Sequence, residues 1–260
     1  MKKLKKTAYH VLAACISIGL FLVLWQVATT GTEFGKLMPR PTDVISALFN
    51  SFTVPIGEYT IVKHILISLR RVMVAYLAAS FIGNVLGIFM ARNKLVESIF
   101  RPFYEVIRPI PPIAWISIAI LWFGLGETMK YFIIFLSAFA SITYTTFSGA
   151  QKVDPKLIGA AKMLGASDFQ IFHTVVLPAS IPYVFSGEQV ALGTSWATVV
   201  AAEMVRSSEG VGWVIVSGQQ SSNMLQVMVG IVTIGVVGLL LTTLLRKLEG
   251  ILCAWNVGGV

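Results

Sequence analysis

The stretch Asp154–Pro178, DPKLIGAAKMLGASDFQIFHTVVLP, decides how this chain is read. It is a polar island between two long apolar segments, and it carries its own helix signals. Asp154 suits an N-cap, and Pro155 suits the first helical position, where no amide hydrogen is needed. A helix is expected through Lys156–Leu164, stopped at Gly165, which takes the left-handed conformation without a Cβ clash. Ser167 and Gln170 then have capping-box spacing for a second start. That second helix is expected to end near Pro178, because proline disfavours helical geometry in the residue before it. Gly159, Ala160 and Ala161 keep the first arm small enough for another surface to approach closely. The stretch reads as a helix–turn–helix docking element, with a plain connector as the competing reading.

Composition places this element beside a membrane. The 260 residues are 56% hydrophobic and 12% charged, and the mean hydropathy is +0.80. Soluble domains carry about 25% charged residues, so a water-soluble helical core would lack its polar faces. Cys15 and Cys253 lie far apart in apolar segments, which points to neither a disulfide framework nor a metal site. His10, His64 and His173 are scattered, without the spacing of paired metal ligands. No GxxxxGK[ST] phosphate loop occurs, so the chain itself is expected to bind no cofactor and to hydrolyse no ATP. The net charge of +8 follows the ends of apolar segments, so nucleic acid is not an expected partner.

Outward from the docking element, one domain over residues 1–260 divides into six expected spans: 8–28, 72–91, 110–126, 131–150, 182–204 and 224–245. A span needs about 20 apolar residues. The third is short because Pro109, Pro111 and Pro112 break its entry. The first follows the basic run MKKLKK; a signal peptide competes, but its apolar stretch is long and no clean cleavage site stands after it. Residues 41–52 read as a short amphipathic helix on the membrane surface. Gly83 and Gly87 give the second span a face for close helix packing. The termini and the 92–108 and 151–180 loops hold 13 of the 20 Lys and Arg residues, which places both termini and the docking element in the cytoplasm.

Glu188 and Glu203 fall within the fifth span, where ionisable groups are costly and face a protein interior or an aqueous cavity. Together with Ser195, Trp196 and Thr198, mid-span among small residues, they are the candidates for a translocation pathway. Arg206 is the expected partner of Glu203. For the tryptophan, packing or interfacial anchoring competes.

The spacing Ala160-Ala161, three residues, Gly165, nine residues, Val175, one residue, Leu177-Pro178 resembles the EAA loop of bacterial ATP-binding-cassette (ABC) importer permeases. The runs RPIPPIAWISIAILWFGLGE, SGEQVALGTSWATVVAAEM and EGVGWVI resemble the nitrate/sulfonate/taurine subfamily, and the likeness extends from about Lys63 to the C-terminus. The resemblance implies an all-α membrane protein of about six transmembrane helices, the type I ABC importer permease fold, with a cytoplasmic coupling helix. It implies a homodimer of permeases in the lipid of the bacterial cytoplasmic membrane, two ATPase subunits that use ATP and Mg, and an extracytoplasmic solute-binding protein. The imported solute would be small and anionic or vitamin-like. Carried over, the coupling set is Gly159, Ala160, Ala161, Gly165, Leu177 and Pro178. Two positions depart from the family: Gly159 stands where it has glutamate, and Gln189 where members often have arginine. The rival classes are an ion-coupled carrier or channel without an ATPase, and a membrane scaffold. Carriers commonly show two related halves, and none is visible here; a scaffold would not need glutamates inside spans.

Overall fold

The computed structural model describes residues 2–253, with the side chains of Tyr9 and of residue 12 onward; the basic run at 2–6 and His10 lie outside the described side chains. Every regular element is helical among the described residues. Helix α1 (Lys2–Thr29) is followed by the short α2 (Phe34–Leu37) and α3 (Pro41–Asn50). Then come α4 (Ile61–Arg92) and α5 (Lys94–Ile107), and a 3-10 turn (Pro112–Trp115) that feeds α6 (Ile116–Phe123). Helix α7 (Glu127–Gln151) leads to α8 (Pro155–Met163) and α9 (Asp168–Ile171), and a π turn (Phe172–Val176) joins α9 to α10 (Leu177–Val205). Helices α11 (Val211–Gln220) and α12 (Met224–Leu252) close the chain. Among the described residues, five helices are long and apolar enough to cross a membrane, or six if α5 and α6 form one broken span.

The core lies where α4, α7 and α10 meet, around Val72, Ala79, Ile134, Ile142 and Val199. Glycines permit the approach. A Cβ on Gly83 would sit 3.1 Å from Ile142, and one on Gly87 only 2.9 Å from the Thr143 carbonyl, so the small face expected on the second span is the face that packs. A Cβ on Gly187 would overlap the Thr145 side chain, and one on Gly149 would overlap Tyr183, which draws α7 and α10 together. Helix α1 stands outside this body. Its Ile16, Phe21 and Val27 are largely exposed, and its visible tie is the Gln26 side chain, which accepts from the Thr42 amide at 3.5 Å.

Four sequence expectations change. The basic segment 92–108 is helix α5, capped by Asn93, which accepts from Leu95 and Val96 amides; Arg101 there bridges Glu97 and Glu105. The expected third span, 110–126, is reduced to a four-residue 3-10 turn and an eight-residue helix, set at 92° to α5. Three prolines between them withhold amide donors and force that break. The second span begins at Ile61 rather than 72, because Arg71, which looked like a flanking charge, is fully buried and paired.

The fourth change concerns Pro178. The chain stays helical from Asp168 to Val205 instead of ending near the proline. In an α-helix the ring would collide with the carbonyl four residues back. The π turn at 172–176 widens the helix there and takes up the misfit.

Candidate functional site

The helix–turn–helix at 154–178 forms as its residues dictate. Asp154 caps α8 by accepting from the Lys156 amide at 2.9 Å, with Pro155 in the first turn. Gly165 has φ +80°, and the Gly165 and Ala166 amides donate to the Lys162 and Ala161 carbonyls at 3.0 and 3.1 Å. The Ser167–Gln170 capping box is complete: the Ser167 amide donates to Gln170 at 2.8 Å, and the Gln170 amide to Ser167 at 3.3 Å. Helix α8 buries no residue. Ala160 is exposed and Ala161 half-buried, Met163 and Leu164 are 85% and 88% exposed, and a Cβ on Gly159 would meet nothing within 4 Å. Leu177 and Pro178 are half-buried at the root of α10. The element is tied to the body by Arg92, whose guanidinium lies 5.0 Å from the Phe172 ring.

The opposite end of the bundle holds a buried charge cluster. Arg71 makes a two-pronged contact with Glu127, at 2.8 and 2.7 Å. Its third nitrogen reaches Glu203 at 2.8 Å, and Glu209 joins at 3.1 Å. Lys130 bridges Glu127 and the Ser207 hydroxyl, at 2.8 and 3.1 Å. Glu203 also accepts from Ser68 and from the Gly212 amide. Gly210, at φ +104°, passes so close that a Cβ would overlap that carboxylate. His64 completes the shell: its Nδ1 accepts from the Gly210 amide at 3.1 Å, which leaves the Nε2 hydrogen to donate to the Ile56 carbonyl at 3.0 Å. Glu203 therefore pairs with Arg71 and not with Arg206. The sequence distance of 132 residues hides that pair from a linear reading.

The other pathway candidates scatter. Glu188 points at α4, accepting from Ser80 at 2.5 Å and Asn84 at 2.6 Å, and Asn84 in turn accepts from Thr146. Trp196 is buried, with its indole N–H donating to the Ile234 carbonyl at 3.0 Å. Ser195 is buried with no hydrogen-bond partner among the described residues. Gln189, one of the two positions that depart from the family pattern, donates to Glu249 on α12, an internal pairing. Of the five, Thr198 borders open space. It donates to Ser137 at 3.1 Å and lines a cavity of about 540 Å³ with Arg108, Trp115, Ser141, Tyr144 and Thr145. A second cavity of about 530 Å³ shares Tyr144 and Thr145 and runs on to Ser148, Lys152, Tyr183 and Ser186. Sequence reasoning passed over the hydroxyl residues of α7, although Ser137, Ser141, Thr145 and Ser148 recur at helical spacing within one apolar span.

Residues 83–252 match the family described as "Binding-protein-dependent transport system inner membrane component". The chain is 34% identical to the taurine transport system permease protein of Escherichia coli, over 93% of this chain and 90% of that one. It is 31% identical to the nitrate import permease protein of a Synechocystis species, over 93% and 89%. Among solved structures it is similar to a chain of an amino acid ABC transporter (TM-score 0.62, 14% identity, 80% of this chain and 95% of that one). It is likewise similar to a chain of the MetNI methionine ABC transporter in an inward-facing state (TM-score 0.58, 18% identity, 74% and 94%).

Proposed function

The chain belongs to the family of binding-protein-dependent transport system inner membrane components, as a permease subunit of an ABC importer, and we propose that it works as a homodimer driven through α8 and α9. The observation that carries this reading is the capped helix–turn–helix between α7 and α10, which buries none of α8 and leaves Met163 and Leu164 almost fully exposed. Large apolar tips on a rigid, small-residue scaffold fit a partner that covers them. In this proposal two ATPase subunits take the element into a cleft, bind ATP and Mg themselves, and pull α7 and α10 as they close. Ala160 and Ala161 lie against the cleft, Gly165 makes the turn, and Leu177 and Pro178 pass the motion into α10. The element and both termini face the cytoplasm, in keeping with the bias of Lys and Arg. An extracytoplasmic binding protein delivers the solute at the other end. The relatives named for taurine and nitrate support a small anion as the solute.

Co-purification from detergent with a candidate ATPase tests the assembly, followed by ATP hydrolysis and solute uptake in liposomes with and without the binding protein. A 2:2 complex stimulated by loaded binding protein is expected. A chain that purifies alone and moves solute without ATP would be a carrier.

A further inference from the structure

We propose that the groove between α7 and α10 binds and passes a small oxyanion, with Arg108 and Lys152 as its two successive cationic contacts. The inference deepens the importer reading and rests on it. The two cavities share Tyr144 and Thr145 in their walls and so adjoin as a trough along α7. Its floor is a hydroxyl stripe: Ser137, Ser141, Thr145 and Ser148 recur at three- and four-residue intervals on one helix face, and Lys152 continues the stripe at the loop end. Helix α10 supplies Ser186, Thr194 and Thr198 from the other wall. The contacts at Gly149 and Gly187 are what bring the two stripes side by side.

The charge in the trough has one sign. Among the described residues, no Asp or Glu lines either cavity. Arg108 rests 3.9 Å above the Tyr144 ring, and Lys152 lies 5.4 Å from the Tyr183 ring; neither is joined to a carboxylate. The contrast with Arg71, held by three carboxylates, is chemical. Tyr183 is exposed and Tyr144 half-buried, so the rings hold these cations by about 0.5–2 kcal/mol, whereas charge-assisted hydrogen bonds to an anion are roughly twice as strong as neutral ones. An arriving oxyanion can therefore draw each cation off its ring. The Thr145, Thr194 and Thr198 hydroxyls already donate within the bundle; the Ser137, Ser141 and Ser186 hydroxyls and the Trp115 indole N–H, which has no acceptor among the described residues, are the donors that suit several acceptor oxygens. A cationic solute would find no carboxylate here.

The test reads the charge of the trough directly. In a Cys15→Ala/Cys253→Ala background, Ser141→Cys and Ser148→Cys are placed in the assembled complex. Each is treated with an anionic thiol reagent, sulfonatoethyl methanethiosulfonate, and with its trimethylammonioethyl cation. Rates are divided by those of the same reagents on a free thiol. A preference for the anionic reagent of about tenfold or more is expected, the scale that a cleft of one charge sign confers. It should fall several-fold in Arg108→Gln at position 141 and in Lys152→Gln at position 148, and Arg108→Lys should keep it. Equal rates, a cationic preference, or thiols that neither reagent reaches would overturn the proposal. ATP-driven uptake by the same complex is scored separately. Uptake without anionic preference sinks the trough alone, and a complex with no ATP-dependent uptake sinks the importer reading beneath it.

Discussion

Arg71 and Glu203 lie 132 residues apart in sequence, meet at 2.8 Å, and both side chains are completely shielded from solvent. A buried pair of this kind is expensive to assemble and more expensive to break, because removing one partner strands the other. Arg71 also serves Glu127 and Glu209, so its loss strands the fully buried Glu203 and takes one partner each from Glu209 and from Glu127, which keeps Lys130. Arg71→Met is expected to cost about 3–5 kcal/mol, against a smaller loss for Glu203→Gln, whose amide oxygen still accepts. Unfolding midpoints of the two variants in the same detergent check the order, and equal loss would mean that Arg71 is not the hub.

The packing of α7 on α10 gives a second prediction. Gly187→Ala puts a methyl into the Thr145 side chain and should destabilise by about 1–3 kcal/mol, the range for overpacking. Thr145→Ala in the same chain should recover part of that loss. Two independent, additive losses would show that the helices are not in contact there.

Gly159 offers a cleaner handle on coupling. Open space surrounds it, so Gly159→Ala should leave the fold intact and strengthen α8 by as much as about 1 kcal/mol. Ala161→Arg should likewise fold, yet abolish ATP-driven uptake. Full uptake by a stably assembled Ala161→Arg complex would remove α8 from the docking role.

Pro178→Ala removes the reason for the π turn. The helix from Asp168 is then free to run in regular α register, which turns α8 and α9 relative to α10 by about 100°, one residue's rotation. ATP hydrolysis should continue with uptake reduced several-fold. Unchanged coupling would show that the π turn is incidental.

Most of the helix–turn–helix at 154–178 was legible because its signals are local. Asp154, Pro155, Gly165, Ser167 and Gln170 each act on backbone groups within three residues or so, and each does what its chemistry predicts. The family strings likewise carried the fold. Failures came where distance or compensation intervened. Pro178 reads as a stop only if the helix before it is regular, and the π turn is not. Arg71 reads as a flanking charge until three acidic residues from α7, α10 and the segment after α10 are folded onto it. The prolines at 109, 111 and 112 announced a break, but not that the basic segment before them would be a helix set at 92° to the α6 segment. Of the pathway candidates, Glu188 and Glu203 were chosen as ionisable groups inside a span and Trp196 for its place among small residues, and the fold engages the polar groups of all three with its own backbone and side chains.

The long α10 has a mechanical consequence. Its 29 residues span about 44 Å at 1.5 Å per residue. Glu203 pins it near one tip, while the other tip is rooted in the exposed element at 155–171. Pro182 lies inside the helix and is the place for a bend, so the stretch beyond it can turn as one rod about the carboxylate cluster, with travel that grows with distance from Glu203. A push at Ala160 would move Glu203 least and would swing Thr194, Ser186 and Tyr183 by increasing amounts. The wall of the groove nearest Lys152 would open widest, and the end beside Ser137 and Thr198 would stay nearly still.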